Sequence, residues 1–313
     1  MTKHGSDNSW SQAVTHAVAQ PVPHSVGLAR PTRRLPALAC DSHMHIFDPR
    51  FAPSSHWPRT PPDAPVTAYR QLQQRLGTTR AVVVTPSTYG TDNACTLDAL
   101  AQLGDAARGV AVVDQDVTAD ELGRLDAQGV CGLRVNFVSP QSWGITTPAM
   151  LTTLAAKVAP LGWHIQVFMH AEQVVELAGV LEQLPVPLVI DHLARIDPQA
   201  GPVANAFAVL RHLLDQGNTW VKLSGAYMRS QVGGPSYADT LPLGQALVQA
   251  APERLVWGSD WPHTTEAVGT VDDAALVDTL QAWCKDDAAV MDRILVDNPA
   301  RLYGFTALPQ LPD

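Results

Sequence analysis

The fold of this chain is decided by stretches such as residues 80–113, RAVVVTPSTYGTDNACTLDALAQLGDAARGVAVV. This stretch begins with the apolar run 80–86, continues into a helical pattern at 93–103 and ends in a second apolar run at 109–113. Apolar runs without alternation are typical of strands that are buried on both faces, as in parallel sheets. Gly104 follows the helical pattern, where a left-handed residue commonly ends a helix. The stretch therefore predicts one strand–helix–strand unit of a parallel sheet.

The same unit recurs along the chain. Eight apolar runs predict eight strands, at 38–47, 80–86, 109–113, 130–137, 163–169, 187–191, 219–225 and 254–260. Helical patterns lie between and after them, at 67–76, 93–103, 118–128, 148–159, 172–183, 203–215, 240–250, 272–284 and 287–302. Eight such repeats in about 270 residues are typical of a (β/α)8 barrel. An open doubly wound sheet is less well supported, because the first strand is not followed by a Gly-rich phosphate loop. We therefore predict an α/β protein, a (β/α)8 TIM barrel over 38–306, with a flexible arm at 1–37 and a tail at 307–313.

Composition places the chain among folded globular proteins. Hydrophobic residues make up 46% of the chain and charged residues 16%, which is enough apolar material for a large core. The net charge of -9, with acidic and basic residues interspersed, excludes an electrostatic surface for nucleic acid. Four widely spaced cysteines without a C-x-x-C pair indicate free thiols in a reducing compartment. Because no apolar run approaches the roughly 18 residues of a membrane span and no secretory signal is recognisable, we expect a cytoplasmic protein.

Unusual polar residues follow the predicted strands at their carboxyl ends, where barrels of this kind carry their catalytic groups. One such residue at one strand would mean little, but several strands contribute. They are His43 and His45 of strand 1, Ser87 after strand 2, Arg134 on strand 4, His170 after strand 5, Asp191 and His192 at strand 6, and Asp260 at strand 8. Convergence from so many strands is hard to obtain from packing alone, so the sequence predicts an active site there.

The residue types restrict the chemistry. His43 and His45 are two apart in a strand, so their imidazole rings face the same way. With His192 and Asp260 they could bind one divalent metal ion, or they could polarise a substrate carbonyl. Asp260 itself is either a general base for water or a cap of the turn before Pro262.

Two arginines are candidates for anion binding. Arg134 stands in the apolar run GLRVNF, and a buried guanidinium requires a partner, which is either a structural acid or a substrate carboxylate. Arg195 is either a second anion contact or a surface salt-bridge residue.

The complete motif set has a family resemblance. The motifs are DSHMHIFDP (41–49), TPSTYGTDN (85–93), GLRVNF (132–137), IDHLAR (190–195), WGSDWPH (257–263) and DNPARLYGF (297–305). Over residues 38–306 the chain resembles the amidohydrolase superfamily. Within it, the chain is similar to the branch of 2-pyrone-4,6-dicarboxylate lactonase and related sugar-lactone and sulfomuconolactone hydrolases. The resemblance implies that the chain is an enzyme that hydrolyses a small carboxylated lactone.

The resemblance also implies roles for individual residues. Asp260 matches the aspartate that activates the hydrolytic water, and the histidines match those around the lactone carbonyl: His43, His45 and His192. Substrate contacts are implied at Ser87, Arg134, Trp57 and Arg229, to which the sequence adds Arg195. One departure is informative: Pro140 stands where the pyrone lactonase has a second arginine. A lactone with one carboxylate, or a hydroxylated sugar-acid lactone, is therefore at least as plausible a substrate as the pyrone dicarboxylate.

Cofactor and reaction type leave alternatives open. We expect no required cofactor; the alternative is one divalent metal ion, zinc or manganese, held by His43, His45, His192 and Asp260. Strand 4 offers no lysine or glutamate bridge, so a two-metal site is not expected. The rival functions are a metal-dependent decarboxylase, a lactone isomerase and a non-catalytic binding barrel. Barrels of this size are often oligomers, so a homo-oligomer is compatible with the sequence.

Overall fold

The computed structural model describes residues 21–138 and 146–306, and within them the chain forms a parallel β-barrel surrounded by helices. The eight strands of this part are β1 Cys40–Met44, β2 Arg80–Val84, β3 Ala107–Ala111, β4 Val130–Asn136, β5 His164–Phe168, β6 Leu188–Ile190, β7 Thr219–Leu223 and β8 Leu255–Trp257. Its α-helices are α1 Val66–Leu76, α2 Ala94–Leu103, α3 Ala119–Asp126, α4 Pro148–Val158, α5 Ala171–Glu176, α6 Ala178–Leu181, α7 Asn205–Asp215, α8 Leu241–Ala250, α9 Asp273–Trp283, α10 Ala288–Asp292 and α11 Asn298–Tyr303.

The strands lie in chain order, β1 to β8, and every neighbouring pair is parallel. The predicted (β/α)8 barrel is therefore confirmed. The largest differences from the predicted boundaries concern helices: the segment predicted at 172–183 is divided into α5 and α6 at Leu177, and a π-helical turn, Arg293–Asp297, separates α10 from α11. The strands are shorter than predicted because the residues beyond them turn away from the sheet to form the site described below.

The seam between β1 and β8 is closed by side chains and by loop backbone. The buried carboxylate of Asp41 accepts hydrogen bonds from the backbone N–H and the hydroxyl of Ser259, at 2.9 and 2.6 Å. Beyond it, the N–H of His45 donates to the carbonyl of Trp261 at 2.9 Å. Gly258 permits this approach, since a Cβ there would lie 2.6 Å from the backbone nitrogen of His43. Closing the seam brings the ends of β1 and β8 together.

Two hydrophobic clusters stabilise the barrel. The larger one fills the space between strands and helices. The smaller one joins residues of several strands to the end of the described chain, and its buried members are Cys40, Val82, Val84, Val110, Val189, Trp220, Val256, Tyr303 and Phe305. Arg80 and Arg108, near the amino ends of β2 and β3, lie over the ring of Phe305. The C-terminal segment thus covers the amino end of the barrel and leaves the carboxyl end for the site.

Residues 21–37, part of the predicted arm, lie against the barrel. Val22 and Leu35 are buried, and Trp261 donates its indole N–H to the carbonyl of Pro23 at 2.8 Å. Residues 1–20 and the predicted tail lie outside the described residues, so the domain limits stay a prediction. In the described part of the chain, no helix has both the length and the apolar character that crossing a bilayer requires.

Candidate active site

The end of β1 directs two imidazole rings at one carboxylate. His43 is the fourth residue of the strand, and His45 follows its last residue. Their Nε2 atoms lie 3.5 and 3.3 Å from Oδ1 of Asp260, and the two rings meet edge to face with centroids 5.0 Å apart. His43 and His45, which are two positions apart, therefore both face Oδ1 of Asp260, which follows β8.

His192 and Arg195 reach the site from a strained turn after β6. Residues 192–195 all have positive φ, between 51° and 54°. L-residues seldom adopt this conformation, and such strain persists mainly at functional sites. The turn places Nε2 of His192 3.9 Å from Oδ1 of Asp260, and it lays the guanidinium of Arg195 over the ring of Phe168 at 5.2 Å.

Asp260 is oriented by its own backbone and by Tyr227. Its φ is +60°, and its N–H donates to the carbonyl of His43 at 2.7 Å. Tyr227 donates its hydroxyl hydrogen to Oδ2 at 2.5 Å, so Oδ1 is the oxygen that faces the histidines. Burial raises the pKa of Asp260, but His192, His45 and His43 together lower it by more, so its net pKa lies well below the usual carboxyl range. The carboxylate is therefore ionised at neutral pH.

A buried chain of polar groups continues behind Asp260, and the sequence prediction omits it. Nδ1 of His263 lies 3.1 Å from the hydroxyl of Tyr227, and its Nε2 lies 3.1 Å from both carboxylate oxygens of Asp273. Burial lowers the pKa of His263, but Asp273 raises it by more, so the net pKa is above the usual value. The sequence signal for His263 was its place in the motif WGSDWPH, three residues after Asp260. Tyr227 and Asp273 gave no local signal.

Four buried polar residues form a network beneath the histidines. Lys222 of β7 donates to Oε1 of Gln166 at 2.7 Å, and Gln166 donates from Nε2 to Oδ2 of Asp191 at 3.1 Å. Arg134 donates from Nε to the same oxygen at 3.3 Å, so this arginine has a structural acid as a partner. Nζ of Lys222 also lies 3.2 Å from Nδ1 of His43. The sequence signal for Lys222 was a lysine within the apolar run TWVKLSG.

The network sets the charge states around the site. Burial raises the pKa of Asp191, but His43, Lys222 and Arg134 lower it by more, so its net pKa is well below the usual range. Burial lowers the pKa of Lys222 to about 8 against the opposing effect of Asp191, so the ammonium persists at neutral pH. The pKa of His43 is well below its usual value, first through burial and then through Lys222, and burial also lowers the pKa of His192. Both rings are therefore neutral at pH 7.

Two groups of described residues bring possible metal ligands together: His43, His45 and Asp260, and His43, Asp191 and His192. His45 fits the role of a ligand, because its Nδ1–H donates to the carbonyl of Val84 at 2.8 Å and the neutral form of such a ring carries its lone pair on Nε2. His43, which belongs to both groups, does not fit it. Its Nδ1 faces the ammonium of Lys222, and a neutral ring that accepts there carries its proton on Nε2. The residues as arranged therefore do not suit a metal ion held through His43.

An open cavity lies above Asp260, with an empty volume of about 480 Å³ that includes space open to solvent. Phe168 forms part of its wall, and the guanidinium of Arg134 lies over the same ring at 5.0 Å. Arg195 contacts Sδ of Met228 at 3.7 Å, and its Nε forms no hydrogen bond with a described residue. Arginines beside a cavity favour a carboxylate ligand.

The other predicted contacts differ in position. Ser87 lines the cavity and accepts a hydrogen bond from Nδ2 of Asn136 at 2.8 Å, and Trp57 lines the same cavity. Arg229 is exposed, and its charge adds to burial in lowering the pKa of Arg195. His170 is exposed at the start of α5 and belongs to neither possible metal group of the described residues. Pro140, the departure noted in the sequence, lies outside the described residues.

The barrel and its site define a class of protein. The chain is a parallel (β/α)8 barrel that carries an H-x-H pair at the end of strand 1, a histidine after strand 6 and an aspartate after strand 8. The sequence profile of the amidohydrolase family matches residues 40–305. The chain belongs to the amidohydrolase family.

Several individual members of this family are similar to the chain over most of its length. A 2-pyrone-4,6-dicarboxylate hydrolase of Comamonas testosteroni is 35% identical over 88% of this chain and 93% of its own length. A 4-sulfomuconolactone hydrolase of Rhizobium radiobacter is 35% identical over 86% of this chain and 91% of its own. A D-galactarolactone isomerase of Agrobacterium fabrum is 30% identical, with 87% and 93% covered. Among solved structures, an apo protein of Agrobacterium tumefaciens superposes with a TM-score of 0.82 at 28% identity, covering 91% of this chain and 99% of that one.

Proposed function

We propose that this protein hydrolyses a small lactone that carries at least one carboxylate group. The observation that carries the proposal is the convergence of three histidine Nε2 atoms on Oδ1 of Asp260, at 3.3 to 3.9 Å, beneath a cavity whose lining includes Arg59 and Arg134. An ionised carboxylate that lines the cavity is placed to take a proton from water. The names of the hydrolase relatives support a lactone as the substrate.

The reaction follows from these contacts. Oδ1 of Asp260 accepts a proton from water as the water oxygen bonds to the ring carbonyl carbon. The carbonyl oxygen becomes an oxyanion, which imidazole N–H groups stabilise; each well-aimed donor contributes on the order of a hundredfold in rate. The tetrahedral centre then collapses, the ring C–O bond breaks, and the departing oxygen takes the proton that Asp260 holds. The new carboxylic acid ionises and releases its own proton to solution. The product is a ring-opened hydroxy acid with one more carboxylate.

The arginines orient the substrate in this proposal. Arg195 forms no ion pair with a carboxylate of the described residues, although the charge of Glu172 raises its pKa against burial, so it is the stronger candidate for the substrate's carboxylate. Arg134 is engaged with Asp191 through Nε, which leaves its terminal nitrogens for a second contact. Ser87 and Trp57 complete the cavity wall, and Arg229 supplies positive charge nearby.

We further propose that the reaction needs no metal ion and takes place in the cytoplasm. The first part rests on the ring of His43, whose Nδ1 faces Lys222. The second rests on four cysteines that are all free thiols. A homo-oligomer stays a prediction.

The test is a panel of carboxylated lactones incubated with chelator-treated protein, with proton release followed in a weakly buffered solution. We expect turnover by the wild type and a loss of at least about a thousandfold in kcat for Asp260→Asn, which keeps the shape but removes the base. Asp215→Asn is the matched control, since Asp215 pairs with Arg211 on the surface. Turnover that appears only after zinc or manganese is restored would contradict the metal-free reaction.

A lactone isomerase is the second candidate, because one relative carries that name at 30% identity. In that reaction the acyl group moves to another hydroxyl of the same molecule, so no water is added. Mass spectrometry separates the two: a hydrolysis product is one water heavier than the substrate, and an isomer has the same mass. Release of carbon dioxide would instead indicate a decarboxylase.

A further inference from the structure

We propose that Lys222 is a positioning residue that keeps the single ring proton of His43 on Nε2, so that this ring acts as a hydrogen-bond donor to the substrate carbonyl and not as a metal ligand. This inference rests on the proposed function for its catalytic consequence only. Its structural basis is the hydrogen-bond partner of Nδ1 of His43, which is either Lys222 or Asp191.

Two buried groups compete for Nδ1 of His43. Nζ of Lys222 lies 3.2 Å away in hydrogen-bonding geometry, and Oδ1 of Asp191 lies 3.3 Å away. The two partners have opposite requirements: an ammonium has only N–H groups to donate, and a carboxylate only accepts. Pairing with Lys222 leaves the proton on Nε2, whereas pairing with Asp191 would place it on Nδ1 and leave a lone pair on Nε2.

The contacts favour the pairing with Lys222. Oδ1 of Asp191 lies 3.3 Å from Nδ1 of His43 but does not meet the geometry of a hydrogen bond with any residue that the structure describes. The orientation of the Gln166 amide fits an ammonium at Lys222 and a carboxylate at Asp191, because its Oε1 accepts from Lys222 and its Nε2 donates to Asp191. The opposite orientation would place amide N–H groups against an ammonium.

The other ring nitrogen of His43 faces the reacting centre. Nε2 is buried, lies 3.5 Å from Oδ1 of Asp260 and forms no hydrogen bond with the described residues. A buried donor without a partner is costly and is uncommon in folded proteins. An N–H at this position can donate to the carbonyl oxygen of the substrate while a water molecule activated by Asp260 attacks the carbonyl carbon. His45 differs, because its Nδ1–H donates to the carbonyl of Val84 at 2.8 Å and not to a side chain.

The proton of His43 can be located directly by NMR of the wild-type protein labelled with 15N-histidine. The signals of His43 are assigned by their absence from the spectrum of His43→Gln. We expect a pyrrole-type Nε2 and a pyridine-type Nδ1 at pH 7. A proton on Nδ1, or a doubly protonated ring, overturns the proposal. This measurement does not depend on a substrate, so it succeeds or fails separately from the proposed function.

Metal content provides a second, independent readout. Lys222→Met keeps an unbranched side chain but removes the donor, so Asp191 becomes the partner of Nδ1 and Nε2 gains a lone pair. After dialysis against micromolar zinc, we expect no stoichiometric zinc in the wild type and about one ion per chain in the variant. Stoichiometric zinc in the wild type, or a folded variant that still excludes zinc, overturns the proposal.

Lys157→Met is the matched control. Lys157 lies on α4 and donates to the carbonyl of Val117 at 2.7 Å, so its replacement should change neither the zinc content nor the ring proton of His43. Once a lactone substrate is in hand, Lys222→Met should lower kcat about a hundredfold, as expected for the loss of one oxyanion donor, with little change in KM. A change in KM alone would indicate a merely structural role and contradict the proposal.

Discussion

Tyr227 donates a hydrogen bond of 2.5 Å to Oδ2 of Asp260, and this contact gives the two carboxylate oxygens different roles. Oδ2 is engaged by the tyrosine, and Oδ1 faces the three histidines. A general base must present its lone pair in one direction, and a carboxylate that is free to rotate would lose that alignment. The remaining contacts of Tyr227, to His263 and through it to Asp273, fix the hydroxyl in turn.

Tyr227→Phe should therefore impair catalysis without preventing folding. We expect kcat to fall about 10- to 100-fold with a small change in KM, because the base loses its orientation while the substrate contacts persist. Loss of a donor to the ionised form also raises the pKa of Asp260, so the acidic limb of the kcat profile should move to higher pH. Tyr89→Phe is the control, since that hydroxyl accepts from the backbone N–H of Asp48. An unchanged pH profile in Tyr227→Phe would refute the assigned role.

Arg195→Ala should weaken binding of the substrate's carboxylate. We expect KM for a carboxylated lactone to rise about 10- to 100-fold, the value of a charge-assisted hydrogen bond, with kcat nearly unchanged. Arg211→Ala removes a surface arginine that pairs with Asp215 and should have no effect. The same kinetics with a lactone that lacks the carboxylate provide the decisive comparison: an equal rise in KM there would show that Arg195 does not bind the carboxylate.

His164 should make the protein less stable in acid. Burial lowers its pKa to about 3, and neither ring nitrogen has a partner among the described residues. Between the usual histidine pKa of about 6.5 and pH 3, the unfolded chain binds a proton that the folded chain does not, so stability falls as the pH falls. One such group contributes about 1.4 kcal/mol per pH unit.

Replacement of His164 by leucine should flatten this dependence. The free energy of unfolding, measured with urea at pH 7 and pH 5, should change by about 2 kcal/mol less in His164→Leu than in the wild type. His212→Leu is the control, because His212 is exposed on α7. Parallel pH dependences in His164→Leu and the wild type would show that His164 is protonated in the folded protein.

Ser259→Ala should loosen the seam of the barrel. The variant leaves Asp41 without the hydroxyl that donates to it at 2.6 Å, and a buried acceptor that loses its donor costs about 1 to 3 kcal/mol. The measurement is the free energy of unfolding in urea, with the exposed Ser236→Ala as the control. Because Asp260 follows Ser259 directly, activity should fall as well. Equal stability of the two variants would mean that the seam does not depend on this contact.

Much of the fold was predictable because its signals are local. Each strand and most helices follow from apolar runs and helical periodicity within about a dozen residues, and the order of eight units implies the barrel. His43 and His45 were predictable for the same reason, since their spacing alone makes the rings share a face. Asp260 and His192 were found because apolar runs that predict strands 8 and 6 lead up to them. The break at Leu177 was missed because no proline marks it and the nearby Gly179 lies inside α6.

Local sequence patterns specify the repeated units, the barrel class and the polar residues at its carboxyl end. Which of these residues meet depends on the folded barrel. Lys222 and His43 are 179 positions apart, and Tyr227 and Asp260 are 33 apart, yet each pair shares a hydrogen bond. The physical reason is that local patterns specify strands and helices, whereas strand register and closure of the seam specify which side chains face each other across the barrel.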